Sequence, residues 1–114
     1  MTHGELLEKW KARLGLQDWW IVMYEGCTSD EFNDKENVAE TTLTECNKCA
    51  VIRIIREECY GNRIVPFNFE KTLIHELLHL KFCLLDDSGN DLQDRYVHQI
   101  IDDLAKAFVE DAET

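Results

Sequence analysis

Residues 69–84 constrain the fold more than any other part of the chain, because their spacing predicts an α-helix with two different faces, one apolar and one that carries histidines. Their leucines recur three or four positions apart, at Leu73, Leu77, Leu80 and Leu84. Residues at this spacing share one face of an α-helix, so the pattern predicts a helix that packs this face against a sheet. His75 and His79 lie on the other side and leave a second face for chemistry. Asn68 can cap the helix.

The rest of the chain predicts two more helices and three strands. Helical spacing covers residues 4–14 and 91–110, and runs rich in aromatic and β-branched residues favour strands at 18–25, 38–44 and 50–56. The order α-β-β-β-α-α predicts an α+β fold. We expect an N-terminal helix, a small three-stranded, mainly antiparallel sheet, and then two helices.

The chain is strongly acidic, with a formal net charge of −11 from 23 acidic and 12 basic side chains. Nucleic-acid binding needs Lys and Arg to replace the counterions of the phosphate backbone, so DNA and RNA are not expected as partners. No apolar run reaches the roughly 20 residues of a membrane helix, and the first 20 residues do not resemble a signal peptide. We therefore expect one cytoplasmic domain covering residues 1–114, without a membrane partner.

The segment His75-Glu76-Leu77-Leu78-His79 combines residue types that bind and use a metal ion. Histidines four apart on a helix project from the same face, so both imidazoles can bind a single Zn²⁺. Glu76 lies about 100° around the helix from His75, which suits a general base that reaches a water beside the metal. A catalytic zinc site normally has three protein ligands and one open position. The chain must therefore supply a third ligand.

His98 is the leading candidate for that third ligand, since a turn at residues 86–90 would let the last helix return towards the motif. A surface histidine without a metal is the plain alternative. Asp94, one turn earlier on nearly the same face, is the reserve ligand, and Asp102, one turn later, could orient the His98 ring. The sequence predicts one Zn²⁺ per chain, bound by His75, His79 and His98.

The segment Thr72-Leu73-Ile74-His75-Glu76-Leu77-Leu78-His79-Leu80-Lys81 resembles the extended signature of zincin metallopeptidases. A threonine stands three residues before the first histidine, the neighbouring residues are uncharged, and proline is absent. Lys81 departs from the signature, which usually has an apolar residue there. The layout of the chain also resembles short metallopeptidases encoded by phages or prophages, which are distantly SprT-like. Trp10, Leu14-Gly15-Leu16 and Asp18-Trp19 are part of that likeness.

The resemblance implies hydrolysis of a peptide or protein substrate, with Glu76 accepting a proton from the attacking water. A strand edge near the site, assigned to residues 50–56, could hold the substrate as an added strand. Tyr96 is a candidate for stabilising the oxyanion, and Tyr60 is another. The alternative function is a catalytically silent zinc-binding domain that acts through protein interaction, such as a phage-encoded factor directed at a host protein.

Five cysteines are an odd number in an expected reducing compartment, so a disulfide framework is not predicted. Cys46 and Cys49 have metal-ligand spacing and could join Cys27 and Cys59 in a four-cysteine site. The predicted hairpin argues against it, because Cys46 and Cys49 precede the third strand while Cys59 follows its far end. We interpret these cysteines as reduced thiols, and Cys83 as either apolar filler or a residue that lines the site.

Overall fold

The computed structural model describes residues 1–44, 47–61, 63–83 and 90–113. Cys46, Leu84 and residues 86–89 of the predicted turn lie outside them. The helices are α1 (His3–Leu14), α2 (Glu57–Tyr60), α3 (Phe69–Lys81) and α4 (Asp91–Glu113), and the strands are β1 (Trp20–Cys27), β2 (Ala39–Thr44) and β3 (Cys49–Ile55). The α+β class and the order of the predicted elements are confirmed. The short helix α2 is an addition to the elements predicted from the sequence.

Local sequence determines where α1 and α3 begin and where α1 ends. The Thr2 side chain accepts a hydrogen bond from the Glu5 backbone, and the Glu5 side chain accepts one from Thr2 in return. Gly15 ends α1 in the left-handed conformation, at φ 71°, which glycine adopts without steric cost. The predicted cap of α3 is confirmed, since Asn68 Oδ1 accepts from the Lys71 backbone N–H at 3.0 Å.

The sheet is mixed, with the strand order β1-β3-β2. Strands β2 and β3 pair antiparallel, while β1 and β3 pair parallel, so the sheet is less antiparallel than the sequence suggested. Strand β3 is central because it is the most apolar, with Ala50, Ile52, Ile54 and Ile55 all buried. Both edges of β3 are therefore paired. The expectation of an open strand edge at residues 50–56 is therefore wrong, and in the described part of the chain β2 is the edge strand on that side of β3.

Helix α3 is the centre of the packing, since it contacts α1, α4, β2 and β3. Its buried face carries Leu73, Leu77 and Leu80, as predicted. These side chains share one core with Ile52 and Ile54 of β3 and with the buried stripe of α4, which contains Val97, Ile101, Ala105 and Val109. The opposite face of α3, which carries His75 and His79, lies between β2 and α4.

None of the described helices combines the length and apolar character that crossing a bilayer would require.

Replacement of a core leucine of α3 tests this packing. Leu77 is 0% exposed and Leu92, near the start of α4, is 76% exposed. We expect Leu77→Ala to lower the free energy of unfolding by about 2–5 kcal/mol, because it leaves a cavity in the core. The control Leu92→Ala should change it by less than about 0.5 kcal/mol. Urea unfolding followed by circular dichroism measures both, and equal losses would contradict the placement of α3.

Candidate metal centre

Three histidines meet where α3 packs against α4. His75 and His79 lie one turn apart on α3, and α4 brings His98 to them across the helix–helix contact. A potential ligand atom from each residue lies within 4.8 Å of those of the other two. The ring centroids are 5.1 Å apart for His75 and His79, and 4.9 Å apart for His79 and His98. The structure thus brings together the three predicted ligands.

The donor set fits a metal ion. Ligand nitrogens around a tetrahedral zinc are about 3.3 Å apart, and the limit of 4.8 Å between the ligand atoms of this cluster exceeds that spacing by about 1.5 Å. Histidine binds metals as the neutral imidazole. Burial lowers the pKa of His75, and the nearby His79 lowers it further, which favours that neutral form. The cluster could therefore bind a metal ion.

Asp102 supports the first of these histidines. Its Oδ1 lies 3.4 Å from His75 Nδ1, which leaves Nε2 as the ring nitrogen available to a metal. Such a carboxylate fixes the tautomer and the orientation of a ligating imidazole. The sequence assigned Asp102 to His98, one turn away on α4, but the contact with His75 joins the two helices. A pattern read along one helix does not reveal such a contact.

Glu76 is a buried carboxylate beside the histidines. It is 6% exposed, and its Oε1 accepts a hydrogen bond from Thr41 Oγ1 at 2.7 Å. Burial raises the pKa of Glu76, while the Thr41 hydroxyl and the nearby imidazoles oppose that increase. The sequence did not single out Thr41. Strand alternation could place its side chain on the inner face of β2, but not opposite Glu76.

A groove of about 710 Å³ opens beside the cluster. It is lined by all of the residues just described, His75, Glu76, His79, His98, Asp102 and Thr41, and by further residues of β2 and of the segment before α3. Tyr60 also lines it, with its hydroxyl donating to the Val65 carbonyl at 2.7 Å. Tyr96 is 63% exposed on α4 and is not part of the lining. Of the two tyrosines considered for the oxyanion, only Tyr60 reaches the groove.

The outer edge of β2, which pairs with no other strand among the described residues, borders this groove. The Ile55 N–H donates to the Val38 carbonyl at 2.9 Å, which makes these two residues a hydrogen-bonded pair of the antiparallel ladder. Such pairs alternate along the ladder with pairs whose backbone groups point away from the partner strand. By the register of β2 and β3, the outward backbone groups are those of Ala39, Thr41 and Leu43. All three line the groove.

The remaining candidate ligands are not members of the three-histidine group or lie outside the described residues. Asp94 is half-buried on α4, and the three-histidine group forms without it. The described part of the chain contains no second group of metal-binding side chains close enough to share an ion. Cys83 packs against the hydrophobic core, in keeping with its interpretation as apolar filler. The four-cysteine hypothesis needs Cys46, which lies outside the described residues.

Comparison of the chain with known protein families, with curated proteins and with solved structures found no match.

The raised pKa of Glu76 predicts a pH-dependent gain in stability when the carboxylate is replaced. Above the ordinary value of 4.5, the folded state holds the Glu76 proton more tightly than the unfolded state, so stability falls as the pH rises through the raised pKa. Glu76→Gln removes that penalty and can still accept the Thr41 hydroxyl. In the metal-free protein at pH 7, we expect this variant to have the higher Tm.

The gain should disappear below pH 4.5, where the carboxyl is protonated in both states. The control is Glu110→Gln at an exposed position of α4, which should change the Tm little at either pH. Thermal unfolding at pH 4 and pH 7 measures the difference. A Glu76→Gln protein that is less stable than the wild type at pH 7 would contradict the burial of an ionised carboxylate.

Proposed function

We propose that the protein is a zinc-dependent peptidase in which His75, His79 and His98 bind one Zn²⁺ and Glu76 is the general base. The observation that carries the proposal is the convergence of three imidazoles beside a buried carboxylate, in a groove bordered by a free strand edge. Three imidazoles are an established ligand set for catalytic zinc. The resemblance of residues 72–81 to the zincin signature supports the same function.

Zinc at this position would supply a Lewis acid that polarises a peptide carbonyl and lowers the pKa of water to about 7. The protein's own part is proton transfer. Glu76 is held next to the imidazoles, and its raised pKa brings it closer to the range in which a carboxylate accepts protons at neutral pH. It would accept a proton from the attacking water and deliver it to the leaving amine nitrogen.

The proposed substrate is an extended peptide or protein segment that pairs with β2. An added strand bonds to backbone groups that the sheet leaves unpaired, and the ladder alternation assigns these to Ala39, Thr41 and Leu43. Glu76 contacts the same strand through Thr41. A peptide on this edge would therefore pass directly by the general base and the three histidines.

A catalytically silent zinc-binding domain is the second proposal, and the tyrosines favour it. Tyr96 does not line the groove, and the Tyr60 hydroxyl already donates a hydrogen bond to the Val65 carbonyl. Neither hydroxyl is ready to stabilise an oxyanion, a contribution that often accounts for much of the catalysis of acyl transfer. In this proposal the zinc would shape a surface for a protein partner.

Zinc content tests the ligand set. After zinc loading and removal of excess metal, elemental analysis should find about one zinc per wild-type chain. We expect His75→Ala and His98→Ala to weaken zinc binding by more than about 100-fold, because each removes an imidazole. His3→Ala is the matched control, since His3 stacks on Phe69 away from the site. Asp94→Ala should also keep its zinc. A wild type without zinc would overturn both proposals.

Peptide cleavage separates the two proposals. Glu76→Gln keeps the three imidazoles but cannot accept a proton, so we expect kcat to fall by about 10²–10⁴-fold while the zinc content is unchanged. Cleavage of a broad peptide library, read by mass spectrometry, measures this for both proteins. A zinc-loaded wild type that cleaves nothing in the library would favour the silent domain over the peptidase.

A further inference from the structure

Thr41 contacts the site through both its side chain and its backbone. Its hydroxyl donates to Glu76 Oε1 at 2.7 Å, which requires the side chain to point from β2 towards α3. Its backbone N–H and C=O belong to the outward-facing pairs of the β2–β3 ladder, at the free edge. A single residue therefore joins the edge that would receive a peptide to the carboxylate that would accept a proton.

We propose that Thr41 is a positioning residue for Glu76, a role that rests on the proposed peptidase function. A glutamate side chain has three rotatable bonds, and general-base catalysis needs its carboxylate in one orientation. The Thr41 hydroxyl engages Oε1, so that Oε2 is the oxygen presented to the attacking water. A peptide paired with β2 would be placed relative to Glu76 through the same residue.

The packing around Thr41 holds its hydroxyl in a fixed position. Thr41 pairs with Ile52 of the central strand, and Ile52 is fully buried in the core shared with α3. Threonine is also restricted about its first side-chain bond, because it is branched at Cβ. On the other side, Glu76 is followed on α3 by Leu77, which belongs to the same core. Core packing thus sets the distance between donor and carboxylate.

Three variants separate positioning from a merely structural role. Thr41→Val keeps the shape and the backbone groups but lacks the donor, and Thr41→Ser restores a hydroxyl. Thr44→Val is the matched control on the same strand, at an exposed position outside the groove lining. We expect Thr41→Val to lower kcat by about 10- to 100-fold with KM within about twofold of the wild type, because only the carboxylate is misplaced. Thr41→Ser should recover most of kcat, and Thr44→Val should retain all of it.

A second readout does not depend on activity. In metal-free protein labelled with ¹³C at the glutamate carboxyl carbons, the Glu76 signal is identified by its absence in Glu76→Gln. We expect that signal to move in Thr41→Val and to return towards its wild-type position in Thr41→Ser. It should be unchanged in Thr44→Val. An unmoved Glu76 signal in Thr41→Val would overturn the proposal whatever the activities are.

The outcomes distinguish this inference from the peptidase proposal. An active wild type with an equally active Thr41→Val protein would overturn the positioning role alone. A Thr41→Val protein in which KM rises as much as kcat falls, without rescue by Thr41→Ser, would show a structural role and also overturn it. A zinc-loaded wild type without any cleavage would overturn the peptidase, and with it the catalytic part of this proposal.

Discussion

The two-sided packing of α3 is the constraint on which the rest of the structure depends. One face of this helix supplies Leu73, Leu77 and Leu80 to the core, and that burial fixes the rotation of the helix against the sheet. Because side chains four apart share a face, His75 and His79 must then project together towards α4. Hydrophobic burial thus determines the direction of the two imidazoles, and the candidate metal centre is built on helices rather than on a loop.

Glu76 lies between the leucine face and the histidine face of α3. This position explains why its carboxylate is buried and why ionising it costs free energy. A buried carboxylate loses its hydration, and the rise in its pKa expresses that loss. The hydrogen bond from Thr41 offsets part of the penalty, since bonds to charged groups contribute about 1.5–3 kcal/mol. Stability alone would favour a neutral side chain here. A carboxylate is what a general base requires, so its presence at this buried position is consistent with the proposed function.

Sequence alone predicted the features that depend on neighbours along the chain. The Asn68 cap, the leucine face of α3 and the pairing of His75 with His79 follow from helical geometry. The central position of β3 and the contact between Thr41 and Glu76 could not be predicted in this way. Both depend on which strands pair, and residues 35 positions apart meet only once the sheet has formed.

His98 shows how a distant member of the histidine cluster can be anticipated from the sequence when helix packing determines its position. On α4, Val97 and Ile101 are buried against α3, and each is followed directly by a residue of the site, His98 and Asp102. Val97 and Ile101 lie four positions apart, and so do His98 and Asp102, so the buried stripe and the stripe that faces the site run side by side along the helix. A rotation of α4 that withdrew His98 and Asp102 from α3 would also unpack Val97 and Ile101. The core therefore aligns His98 with the other two histidines and Asp102 with His75.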